Sequence, residues 1–139
     1  MKVAVLGCVL ALATAACDNS GSTTPTSLTP TPTVTTEMFT GSVDVGGSDV
    51  HPFNVALSGA PVNVILTAAG PPATIFMGLG VGSYSNTACT LLTGGSVVTP
   101  AGTAAQLSGT VLAGSYCVMV YDVGNQVAQI TYGVTVTHY

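Results

Sequence analysis

The chain has 139 residues, room for one domain, and only 4% of them are charged. Its single basic side chain is Lys2, so the clustered cations that nucleic-acid binding needs are missing, as are Arg–carboxylate pairs, P-loop lysines and Schiff-base lysines. The polar positions are Thr, Ser, Asn and Gly interleaved with Val, Ile and Leu, the composition of β-structure with a hydroxyl-coated surface rather than of a disordered chain.

At the N-terminus, Met1-Lys2 is a short positive region and Val3 to Ala13 an apolar one. The run falls short of the ~20 residues that span a bilayer and small residues close it, so residues 1–16 read as a secretory signal. Ala13-Thr14-Ala15-Ala16-Cys17, with Leu12 slightly upstream, resembles the lipobox of bacterial lipoproteins. That resemblance implies cleavage before Cys17 and a diacylglyceryl group on its thiol. Ordinary cleavage at the same small residues, leaving a soluble secreted protein, is the alternative. It gives Cys17 no purpose, and we take the lipoprotein reading forward. Cys8 lies inside the apolar run and reads as a signal residue.

Residues 17–37 are the expected tether. Ser20 to Thr36 is almost entirely Thr, Ser and Pro, and Pro25, Pro30 and Pro32 favour extended polyproline geometry. At ~3 Å per residue it would hold a domain some tens of Å from a membrane.

The domain expected over 38–139 is built from strands. Phe39 to Val45 alternates and turns at Gly46-Gly47. Phe53, Val55 and Leu57 share a face of a second strand, ended by Ser58-Gly59. Val62, Val64 and Leu66 line a third, broken by Gly70-Pro71-Pro72. Ile75, Met77, Leu79 and Val81 line a fourth. A Gly/Ser/Thr-rich connection then leads to a weaker strand at Ala105–Leu112. Tyr116, Val118 and Val120 mark a strong one, and Gly124-Asn125 turns into the last, with Ile130, Tyr132, Val134 and Val136 on one face and threonines on the other. No segment keeps a 3.6-residue period, so helices are not expected. Seven or eight short strands with glycine turns indicate an antiparallel β-sandwich. Were the last strand at an edge, its Thr-lined face would lack the usual lysine protection.

Cys89 and Cys117 are an even pair in an exported chain with a small core, which favours a disulfide over free thiols or a metal pair. The bridge would close a loop of about thirty residues, worth ~3 kcal/mol in the chain-entropy model. Cys117 alternates with Tyr116 and Val118. The bridge is therefore expected outside the main core, clamping the long connection onto the sheet.

Leu107-Ser108-Gly109-Thr110-Val111-Leu112-Ala113-Gly114-Ser115-Tyr116-Cys117-Val118 is similar to the signature of bacterial pre-peptidase C-terminal (PPC-like) domains. Phe53-Asn54-Val55 and Tyr132-Gly133-Val134-Thr135-Val136 resemble that family's first and last core strands. The resemblance spans about residues 39–138. It implies a jelly-roll-like β-sandwich that serves secreted enzymes as a non-catalytic module.

Candidate sites are few. His51 and His138, without a Cys or carboxylate cluster at metal spacing, read as strand-end surface histidines. No Gly-x-Ser-x-Gly elbow positions a nucleophile. Gly78-Leu79-Gly80-Val81-Gly82 has the look of a dinucleotide loop, but no helix follows, and it reads as a glycine-containing strand. Asp44, Asp49, Asp122 and Asn125 are the candidate Ca²⁺ ligands, set against the plainer reading of Asp122-Val123-Gly124-Asn125 as a hairpin turn. No other cofactor is expected. Tyr84, Tyr121 and Tyr139 are a candidate sugar-stacking platform, against partly buried structural tyrosines.

The sequence thus reads as a non-catalytic lipoprotein of the bacterial cell envelope, on the periplasmic face or the cell surface. It is held to a membrane through Cys17 and presents a β-sandwich that binds an envelope protein or glycan. A self-associating structural subunit is the alternative, and a secreted enzyme the remote one.

Overall fold

The computed structural model describes residues 31–139. The signal segment 1–16, Cys17 and most of the tether lie outside the described residues. Eight strands follow in chain order: β1 (Thr35–Val43), β2 (Ser48–Val55), β3 (Ala60–Gly70), β4 (Met77–Ser85), β5 (Ala88–Thr99), β6 (Leu107–Val111), β7 (Gly114–Tyr121) and β8 (Ile130–His138). There is no helix among the described residues. Every pairing is antiparallel, and two four-stranded sheets result, ordered β1-β8-β3-β6 and β2-β7-β4-β5.

Period-2 alternation decides which face each strand buries. Ile130, Tyr132, Val134 and Val136 of β8 meet Val62, Val64 and Leu66 of β3 within the first sheet's inner face. Phe53 and Val55 of β2, Met77, Leu79 and Val81 of β4, and Val118 and Val120 of β7 cover them from the second. Val64, Leu66, Met77, Leu79, Val118, Val120 and Val136 have no solvent contact. Each such aliphatic side chain stabilises the fold by about 1.5–3 kcal/mol through its burial.

The C-terminal strand β8 lies between β1 and β3, so its Thr face is not an edge. The true edges are each guarded. β2 carries Pro52, β1 turns Glu37 inward, β6 has five residues, and β5 is interrupted between its pairings with Gly80 and Gly82, where Gly94 has φ of 73°. Proline, inward charge, brevity and a bulge are the devices that stop strand edges from templating further pairing.

Three expectations need correction. The Gly/Ser/Thr-rich connection after β4 is in fact the twelve-residue strand β5, joined to β4 by a two-residue hairpin at Asn86-Thr87. Leu57 lies beyond the end of β2 and is exposed. Thr35 and Thr36, at the end of the Thr/Ser/Pro stretch, pair with His138 and Thr137 as the start of β1.

The Cys89–Cys117 disulfide is formed, with the two Cα atoms 5.8 Å apart. Cys117 is fully buried yet stands outside the core cluster, on the outer face of β7. Cys89 belongs to β5, and β4 lies between β5 and β7. In a flat sheet, strands two apart are separated by about 9.6 Å. The β4–β5 hairpin must therefore curl back over the sheet, and Gly82 permits it, since a Cβ there would stand 2.5 Å from the Thr90 carbonyl oxygen and 3.0 Å from Cys89 Sγ. Gly78 and Gly80 repeat the arrangement beneath Tyr121 and Leu91. The Gly78–Gly82 run is thus a strand whose outer face is clothed by its neighbours' side chains.

Candidate functional site

One end of the sandwich gathers the β1–β2, β3–β4 and β7–β8 loops. Residues 122–129 lie at its centre. Asp122 shapes this loop: its Oδ1 accepts N–H groups from Gly124 at 2.8 Å, Asn125 at 3.2 Å and Gln126 at 3.3 Å, while Oδ2 accepts the Gly46 N–H at 2.7 Å. These backbone donors, Gly46 foremost, hold the Asp122 carboxyl below the ordinary carboxylate range. Gln126 is buried, and with its amide turned the other way the nitrogen would donate to the Val43 and Asp44 carbonyls, each at 3.2 Å. On the other flank, Asn125 Nδ2 donates to the Phe76 carbonyl at 3.0 Å, tying in the segment that follows Pro71-Pro72.

The apolar side chains of this end are left outside. Val127 is 97% exposed and Phe76 49%, and Val45 and Val123 are exposed elsewhere on the loops of this end. Pro71, Pro72, Ala128 and Val127 border a shallow depression under Phe76. Isolated exposed aliphatics are ordinary; here Phe76 and Val127 border one depression together with Pro71 and Pro72. The chain enters β1 at Thr35, which pairs with His138, whereas Val43 at the far end of β1 pairs with Ile130 beside these loops. The apolar tip therefore lies a full strand, roughly 30 Å, from the point where the N-terminal segment joins the domain.

The sequence singled out Asp44, Asp49, Asp122 and Asn125. The fold brings Asp44, Asp122 and Asn125 to the tip, with Asp44 Oδ1 accepting from Gln129 Nε2 at 2.7 Å. Asp49 is turned into the seam between β1 and β2. Among the described residues no three His, Cys, Asp or Glu side chains gather closely enough to hold a metal ion. Tyr121 and Tyr84 stand at opposite ends of β4, against Gly78 and beside Cys89, so the three candidate tyrosines do not form one platform.

His51 is half-buried within β2, and His138 is buried rather than on the surface. His138 is 3% exposed, with Nε2 2.8 Å from Glu37 Oε1, its ring 5.3 Å from that of Phe53, and its Nδ1 buried without a partner. His51 stacks on Phe39 with ring centres 4.8 Å apart, and its Nε2 lies 2.7 Å from the Tyr132 hydroxyl. Tyr132 in turn donates to Asp49 Oδ2 at 2.8 Å. Burial and this bond raise the Tyr132 phenol above the usual tyrosine range. The arrangement holds the Tyr132 phenol between the Asp49 carboxylate and the His51 ring. Its work is to satisfy polar groups where the sheets close. The separation of more than eighty residues between Tyr132 and its partners hides it from any local motif.

On the opposite side, β5 and β6 leave a cleft of about 270 Å³ lined by Val62, Val64, Val81, Leu92, Leu107 and Val111. It holds no charged group and lies at the lower limit for a small-molecule site.

No family model matches the chain, and no curated protein matches it. The PPC-like resemblance is thus matched by no family model. Among solved structures the chain is similar to Aeromonas hydrophila PliG, a periplasmic lysozyme inhibitor of g-type lysozyme, at 17% identity, covering 73% of this chain and 83% of that one, with a TM-score of 0.46.

Proposed function

We propose that this chain is a non-catalytic lipoprotein of the bacterial cell envelope, anchored through Cys17, whose PPC-like β-sandwich binds an envelope protein through its distal loops. The exposed Phe76–Val127 tip, at the end of the sandwich opposite the N-terminal entry, carries the reading. Apolar area of this kind is what a protein partner covers; a glycan would call for an aromatic platform with convergent hydrogen-bonding groups, and the tyrosines are dispersed. The guarded edges of both sheets weigh against the alternative of a self-assembling subunit.

The test places a photo-crosslinking residue at position 127 of the full-length chain in its native envelope, with position 112 between β6 and β7 as control. Leu112 is also exposed, at 71%, and lies next to Gly114, which pairs with Val55 at the end of β2 away from the distal loops. A protein adduct from 127 and none from 112 is the expected outcome. Equal adducts, or none, would remove the tip from consideration. The intact mass of the membrane fraction checks the anchor, which requires a chain beginning at Cys17 with added acyl mass.

A further inference from the structure

The tip carries carboxylates that no cation pairs, as well as apolar area. Residues 31–139 contain four side-chain carboxylates and no Lys or Arg. Glu37 is paired with His138, and Asp49 is occupied by Tyr132 with His51 at 3.7 Å. Asp44 and Asp122 are the remaining two, and both stand at the distal end. The Gly46 N–H donated to Asp122 Oδ2 draws that carboxylate against the turn following Asp44. Across the same loop, the bond from Asn125 to the Phe76 carbonyl fixes the aromatic flank. The loop 122–129 thus has two anionic groups on one side, Phe76 on the other, and the fully exposed Val127 on its own crest.

Charge complementarity selects the occupant. A second copy meeting the tip would bring like carboxylates together and has no cation in this domain to answer them. An anionic bilayer surface would be repelled for the same reason. Resting on the protein-binding reading above, we propose that the partner is a protein presenting Lys or Arg side chains around an apolar contact for Phe76 and Val127. Opposed potentials of this kind steer encounter and fix register, and they weaken with salt.

The test uses the full chain with two synthetic peptides of equal length and leucine content, one Leu/Lys and one Leu/Glu, followed by fluorescence anisotropy. The Leu/Lys peptide is expected to bind and the Leu/Glu peptide not. The Asp44→Asn/Asp122→Asn double variant should weaken binding about tenfold, as should a rise from low to 0.3 M NaCl. Phe76→Ser/Val127→Ser should weaken it comparably. Asp44→Asn alone, whose side chain has only the Gln129 bond, reads the same effect if the Asp122 change loosens the loop. Equal binding of the two peptides, or none by either, overturns the inference. So does a position-127 adduct in the envelope whose yield ignores both salt and the two carboxylate changes, and that result leaves protein binding at the tip intact. Absence of any adduct at 127 overturns the underlying reading itself.

Discussion

Tyr132 on β8 and Asp49 on β2 belong to opposite sheets, and the 2.8 Å bond from the phenol to Asp49 Oδ2 links them at the closed side of the sandwich. Without the phenol, Asp49 keeps the Val50 N–H and a more distant His51. Tyr132→Phe is expected to cost about 1–2 kcal/mol, seen as a lower urea midpoint with unchanged slope.

The same phenol gives an alkaline prediction. Its folded pKa is raised, so the stability it contributes is fully present below the ordinary tyrosine value near 10 and is lost as pH rises beyond it. Absorbance at 295 nm should show the same ionisation amplitude up to about pH 11 in the wild type and in Tyr132→Phe. A smaller amplitude in the variant would mean that Tyr132 ionises freely.

Asp122 works in the opposite sense. Its carboxyl is depressed in the fold, so its contribution is present above the unfolded value near 4 and disappears as pH falls through the folded one. Asp122→Asn should be less stable than the wild type at neutral pH. The gap should close on acidification below about pH 4, as followed by thermal melts across pH.

Gln106 stands in for a strand. Its Oε1 accepts the Leu66 N–H at 2.8 Å and its Nε2 donates back to the Leu66 carbonyl at 3.4 Å, just beyond the last β3–β6 pair. Leu66 has no solvent contact, so Gln106→Ala strands a buried donor and should cost about 1–3 kcal/mol. Gln106→Glu keeps the acceptor and should fall between the two in chemical denaturation.

The outer face of β4 separates two glycines that look alike in sequence. Gly82→Ala drives a methyl against the Thr90 carbonyl and the disulfide and should cost about 1–3 kcal/mol, whereas Gly109→Ala on β6 meets nothing within 4 Å and should stay within about 0.5 kcal/mol. Removing the bridge with Cys89→Ala/Cys117→Ala should cost ~3 kcal/mol, as expected for a loop of this length, and open the Asn86-Thr87 hairpin to limited proteolysis.

The fold was legible wherever apolar alternation ran unbroken. β2, β3, β4, β7 and β8 each show it in sequence, and the bridge followed from an even pair of cysteines in a chain read as exported. β5 was not legible, for two physical reasons. Its hairpin uses Asn86 and Thr87 at positive φ (50° and 64°), and a β-branched residue there carries none of the Asn-Gly signal of such turns. The Gly94-Gly95 interruption then breaks its alternation in the middle. His138 was misjudged because its acid, Glu37, lies 101 residues away. The distal tip was invisible because loops 71–76 and 122–129 come together only through β3, β4, β7 and β8. Val127 by itself is an unremarkable valine among many.

The pairing of the first strand with the last has a mechanical meaning. If the N-terminal side is held at a surface while the distal loops are held by a partner, tension enters at Thr35 and leaves near Val43 and Ile130, along the length of the β1–β8 ladder. The nine register pairs between Thr35 and Val43 would then be loaded in shear, all at once, rather than peeled one after another. A domain wired in this way resists extraction of its tethered strand far better than its thin core would suggest. Pulled from the loop end of β1 instead, the same ladder would unzip pair by pair under much smaller force.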